Sequence, residues 1–349
     1  MGYAFFVLML ITALMLIPFS GAACAGAADG LRLFALNVLP SLFPFFVCAH
    51  YMTGAGITPK LKRSGGALVF CCCSVMTAIC GTPSAALLCR GFYERGELSR
   101  RGSSLLCAVL NQTGPVFIVS TLASGFLGQR RLAWAFAISH YIPPLLAASL
   151  SGLLIKPSVK YAGMASSFRS SGPFSLFSRS VSDAVTTSMR VGGTIVFFRV
   201  VHSVMLAAGV FSSVPPVCGS VMTGLLEMTN GVELLCADPV KPSLCLCAFL
   251  LSFGGVCIFI QSRMIFPELS AGVYFPMKLA LGAVSSLIFL LVYPLFSGSA
   301  ASFGSGAQEL TRGGMRAAAE RSAAVVCFSA TAFFTMAASA ILVRTIRRK

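Results

Sequence analysis

Apolar runs long enough to cross a lipid bilayer recur from one end of this chain to the other, and that feature restricts what it can fold into. A hydrocarbon core of roughly 30 Å takes about 20 residues of helix. Inside it every backbone polar group needs a partner within the protein, which selects helices or closed barrels. Candidate spans cover about 3–22, 32–52, 103–123, 131–155, 184–211, 243–262, 275–296 and 323–343. Only 10% of the 349 residues are charged while 56% are hydrophobic, too little charge to coat a soluble protein of this size. The expected fold class is an all-α polytopic membrane protein, whose surroundings include the bilayer itself.

The formal charge of +16 raises nucleic acid as a partner. The basic residues, however, sit in short clusters between apolar runs, with no basic stripe interleaved with aromatics. That pattern fits loop charge that orients helices in a membrane, and argues against nucleic acid. Of the 14 cysteines, Cys71, Cys72, Cys73, Cys107, Cys245 and Cys247 lie within apolar runs and no CxxC pair occurs. They read as reduced packing residues, with no metal site expected. The apolar stretch Tyr3 to Phe19 and the small residues Ser20 to Ala28 imitate a signal peptide. No Lys or Arg precedes them, so a first transmembrane helix within 1–28 is the expectation.

Two further apolar segments, 66–89 and 218–236, are interrupted near their middles, by Cys80-Gly81-Thr82-Pro83-Ser84 and by Glu227-Met228-Thr229-Asn230-Gly231. Each arm is long enough to reach the bilayer midplane and turn back. The two segments also resemble each other. Ser74-Val75-Met76-Thr77 recurs as Ser220-Val221-Met222-Thr223, and Leu87-Leu88-Cys89 as Leu234-Leu235-Cys236. Asp29 leads to Ala55-Gly56-Ile57 as Asp183 leads to Ala208-Gly209-Val210. The ordered matches predict a duplication of 29–155 in 183–296, joined by a basic linker at 156–182 and followed by a linker and last helix in 297–349.

Loop charge separates crossing from re-entry. If both broken segments re-enter, 17 Lys and Arg, Lys278 among them, fall on one side and 7 on the other. If both cross, the split is 11 to 13. Positive-inside bias prefers eight spans plus two re-entrant hairpins, with both termini cytoplasmic. Each repeat then has an odd number of spans and its copy is inverted, a pattern that points to a transport site near the midplane.

The expected site lies at the breaks. Gly81, Thr82 and Pro83 form one turn and Thr229, Asn230 and Gly231 the other, while Gly114-Pro115 and Gly254-Gly255 interrupt the spans that follow. Half-helix N-termini there suit an anionic group. Asn111, Gln112, Thr113 and Gln261 add neutral hydrogen-bonding groups. Glu227 and Arg199 are the intramembrane charges: Glu227 suits substrate or a proton, Arg199 suits a carboxylate ligand, and mutual pairing is the plainer alternative. Glycine and proline that merely kink packed helices are the plainer alternative for the breaks. No HExxH, GxSxG, Walker or dinucleotide glycine pattern occurs, so neither catalysis nor ATP-driven pumping is expected.

Gly81-x-Pro83-x-x-Ala86, Asn111-x-x-Gly114-Pro115-x-Phe117, Leu226-Glu227-x-Thr229-x-Gly231, then Phe253-Gly254-Gly255 and Gln261 together resemble the YlbJ-type sporulation integral membrane proteins. These belong to the wider nucleoside-recognition or Gate domain group, similar in organisation to concentrative nucleoside transporters. The resemblance covers about 29–296. It implies a transporter of the outer forespore membrane that moves dipicolinic acid, a small planar dianion, during endospore formation. No cofactor is implied beyond a coupling H+ or Na+, and a homo-oligomer is compatible with it. A nucleoside-type permease and a non-transporting sporulation scaffold are the competing readings.

Overall fold

The computed structural model of the chain describes residues 2–54, 66–154 and 172–297. The expected span 323–343, the linker 298–322, most of the basic linker and the Ala55-Gly56-Ile57 element of the duplication lie outside them. All regular structure among the described residues is helical. In order come α1 (Gly2–Leu16), α2 (Ser20–Leu33), a π-helical stretch (Phe34–Val38) and α3 (Leu39–Gly54). Then follow α4 (Gly66–Cys80), α5 (Ser84–Glu94), α6 (Arg100–Leu110), a second π-helical stretch (Phe117–Phe126) and α7 (Leu132–Leu154). The rest comprises α8 (Pro173–Ala207), α9 (Pro216–Leu226), α10 (Met228–Cys236), α11 (Lys241–Phe253), α12 (Gly255–Ile265) and α13 (Ala271–Phe296).

Among these, four helical runs are long and apolar enough to cross a membrane: Leu132–Ser151, Pro173–Ala207, Lys241–Ile265 and Ala271–Phe296. A fifth arises if the bent pair Met9–Leu16 and Ser20–Leu36 is one span. Their outward faces stay apolar, with Trp134 and Leu146 on α7, Met189 on α8, and Leu291 and Leu295 on α13 all exposed. Helices apolar towards both the core and the outside require lipid around them. The chain is a multi-pass membrane protein.

The expected first span, 3–22, is divided. The chain turns by 106° between α1 and α2, where Pro18 cannot donate a helical hydrogen bond. The small residues that imitated a cleavage site form α2 instead. Gly26 and Gly30 lie four apart on one face and press on α8, where a Cβ at Gly30 would come within 2.9 Å of the Val196 Cα. This is the small-xxx-small contact by which membrane helices approach closely.

Both interrupted segments fold back on themselves, with different spacing. Between α4 and α5 stands an edge-to-face aromatic pair, Phe70 and Phe92, with ring centroids 6.4 Å apart. Between α9 and α10 nothing intervenes, and a Cβ on Gly231 would overlap the Gly224 Cα. The second interruption is also shorter than the sequence suggests. Thr229, Asn230 and Gly231 are not a turn but the start of α10, and only Glu227 is extended (φ −139°, ψ 114°). Its side chain caps the new helix at once, so no longer turn is needed.

The Gly231→Ala variant should destabilise the protein by about 1–3 kcal/mol by forcing α9 from α10. Gly21→Ala, at a glycine with nothing within 4 Å, should be neutral or slightly stabilising. Thermal unfolding of the two variants in detergent compares them directly.

Candidate functional site

Three helix interruptions line one cavity, and a fourth, at Gly254-Gly255, packs against one of them. The tip between α4 and α5 holds Gly81 at φ +72°, a conformation that disfavours a side chain. A Cβ at Gly81 would lie 3.3 Å from both N and Cα of Gly114, in the break Asn111–Gly114 that follows α6. Gly255, at φ +79°, repeats the arrangement: a Cβ there would meet the Gly224, Leu225 and Leu226 carbonyl oxygens at 3.1–3.2 Å. Each folded-back pair therefore touches, by its tip, the break in the span that comes after it.

The cavity measures about 90 Å³, and its polar lining comes from Thr82, Thr113, Gly114, Thr121, Glu227, Thr229 and Gln261. Leu33, Val38, Leu42 and Phe45 wall one side, with Val191 and Ile195 of α8. At roughly 10–15 Å³ per water on this measure, it has room for several waters or a small ligand group.

Among the described residues, Glu227 is the one ionisable residue in that lining. It is 5% exposed, and its two carboxylate oxygens accept from the backbone N–H groups of Thr229 (3.0 Å) and Asn230 (2.8 Å). Those bonds and the positive end of α10 offset the charge. By contrast α5 and α12 begin without a side-chain cap, although the Ser84 and Ala86 N–H groups of α5 donate to the Gly81 and Pro83 carbonyls. The cavity thus has one carboxylate among its described lining residues, with the starts of α5 and α12 nearby. Among the described residues no group of three or more His, Cys, Asp or Glu is placed to hold a metal ion.

A buried polar layer supports the α6 break from behind. Thr113 donates its N–H to His140 Nε2 (3.0 Å), and its hydroxyl donates to the Leu251 carbonyl (3.2 Å). Because His140 accepts at Nε2, its Nδ1 is the side that donates to Ser252 Oγ (2.8 Å). Tyr141 donates to the Thr113 carbonyl at 2.8 Å. Asn111 Nδ2 donates to Ser262 (2.8 Å) and Tyr274 (2.7 Å), and Gln112 Nε2 to Ser74 (2.9 Å). Lys278 donates to the Asn111 carbonyl at 2.7 Å, at the C-terminal end of α6 where a cation is favoured.

Of the residues expected from the sequence, Thr82, Gly114, Glu227, Thr229 and Gln261 line the cavity. Gly81 and Gly255 make the tip contacts, with Pro83 and Gly254 adjoining them. Gly231 lies instead in the α9–α10 interface, and Asn111 is behind the cavity. Arg199 does not line it either: its guanidinium donates two 3.0 Å bonds to Glu233 Oε2 and another to Asn230 Oδ1. Lys278, counted above as a loop cation, is corrected to a helix-interior residue 2% exposed. His140 and Tyr274 escaped the sequence reading, since no motif surrounds them.

The chain is similar to the sporulation integral membrane protein YlbJ of Bacillus subtilis (strain 168), at 23% identity over 330 residues, covering 79% of this chain and 79% of the relative. No protein-family model matches the chain, and no solved structure shows a significant match. That likeness to an integral membrane protein agrees with the multi-pass membrane architecture.

Replacing His140 with Phe keeps the ring but leaves the Thr113 N–H unpaired. We expect a loss of about 1–3 kcal/mol, read as a lower unfolding midpoint in detergent, with Tyr141→Phe costing less.

Proposed function

We propose that this protein is a secondary membrane transporter of a small carboxylate, dipicolinate during endospore formation. In this reading eight spans and two re-entrant hairpins, 66–89 and 218–236, form an inverted repeat in the outer forespore membrane, with both termini cytoplasmic. The observation that carries it is one cavity lined by three helix interruptions, with a fourth packed against one of them. Interrupted backbone at membrane depth is tolerated where it is buried or lines a cavity, and paired interruptions are how transporters build substrate sites. The similarity to a sporulation membrane protein supplies the biological setting.

The charge of the lining shapes the mechanism. Uncapped N-termini attract a carboxylate, whereas an ionised Glu227 repels it. A dianion therefore enters together with a cation that neutralises Glu227, either H+ or Na+, and substrate and cation move as one load. The absence of Lys and Arg among the described lining residues favours one second reading, a permease for a neutral nucleoside-type substrate.

Purified protein in liposomes should show saturable dipicolinate uptake, reduced about tenfold or more in Glu227→Gln when a gradient drives it. Uptake of uridine, with no competition from dipicolinate, would select the permease. Absence of flux in every imposed gradient, from protein shown to be folded, would overturn transport in favour of a scaffold.

A further inference from the structure

Beside the cavity, on the other side of Glu227, lies a second and much smaller void of about 10 Å³. Its polar lining among the described residues is Thr223, Glu227 and Asn230 from the second folded-back pair and His202 from α8; Phe198, Met205 and Phe211 are among its apolar walls. Two of those polar residues carry buried atoms without a hydrogen-bond partner, Asn230 Nδ2 and His202 Nε2. Asn230 is 1% exposed, and its Oδ1 is already committed to Arg199. Unpaired buried polar groups are rare because each costs about 1–3 kcal/mol. A void of this size holds one water, provided two to four polar groups surround it, and here the carboxylate, the amide and the imidazole do so.

We infer that this void is a water site joining Glu227 to His202, and that the bridge carries protons between the cavity and the outer side of α8. Its use in transport rests on the reading proposed above; the bridge itself does not. The transfer balances without another reactant. Protonated Glu227 gives its proton to the water, and the water passes one of its own to His202 Nε2. The resulting imidazolium then releases the proton from Nδ1. Imidazole is the side chain suited to such a shuttle, with two ring nitrogens that exchange the roles of donor and acceptor.

The charged and titratable groups around this path come from three helices. Arg199 and His202 lie three apart on α8, hence on one face. Glu227 caps α10 and Glu233 lies six residues along, paired with Arg199 at 3.0 Å. Cys257 faces Glu227 from α12. The Arg199 and Glu233 charges act on a protonated His202 in opposite senses, so the pair partly cancels beside it. His202 is partly exposed and lies in the last two turns of α8, which places the far end of the path near the protein surface.

The test reads Glu227 directly by infrared difference spectroscopy on the purified protein after a pH jump. The carboxylic acid band that disappears in Glu227→Gln identifies the residue. The rate at which that band changes should fall about tenfold or more in both His202→Phe and His202→Gln. The Gln variant keeps a hydrogen-bonding partner for the water but cannot shuttle a proton, and it decides the matter if the Phe variant does not fold. Unchanged rates in both variants, slowing in Phe alone, or no Glu227-dependent band would each overturn the bridge. Dipicolinate exchange in liposomes from the same preparation reports transport separately, so a wild type without exchange but with His202-dependent titration would sink the transporter reading and leave the bridge standing.

Discussion

A backbone group that leaves a helix inside a bilayer finds no water there, and this chain leaves its helices repeatedly where the apolar segments should be continuous. The arrangement of the rest follows from how those groups find partners. The Thr113 N–H is answered by His140 on α7, the Asn111 carbonyl by Lys278 on α13, and the Thr229 and Asn230 N–H groups by Glu227 next door. Only interruptions that lie close together can be served by so compact a set of side chains. Their convergence is therefore a condition of folding before it is a condition of binding.

Glu227 illustrates how one residue meets both conditions. It ends α9, starts α10, and presents its carboxylate to the cavity on one side and to the small void on the other. Arg199 stands close by but is engaged by Glu233 and Asn230, and among the described residues no Lys or Arg lines the cavity.

Much of this was legible in the sequence because breaks inside apolar runs are local signals. Gly81-Thr82-Pro83, Gly114-Pro115 and Gly254-Gly255 mark themselves as helix breaks, and their paired order suggested that they belong together. Local signals also misled. Gly231 read as a turn residue, yet it is a glycine because Gly224 presses on it. Lys278 read as a loop cation because it lies near the start of an apolar run, although it is buried inside α13. His140 gave no signal at all, since its partners stand 27 and 112 residues away in the chain. Long-range pairing of neutral polar groups has no periodicity and no motif, so only the folded arrangement reveals it.

The unequal filling of the two folded-back pairs distributes stiffness unevenly around the cavity. At Gly224 and Gly231 the contact is main chain on main chain, and no rotamer change can loosen it, so α9 and α10 displace as one body. Between α4 and α5 the separation is set by Phe70 and Phe92, whose side chains can reorient while the backbone keeps its hydrogen bonds. One tip of the cavity is consequently mounted on a rigid arm and the other on a compliant one, an inequality that a repeated sequence need not preserve.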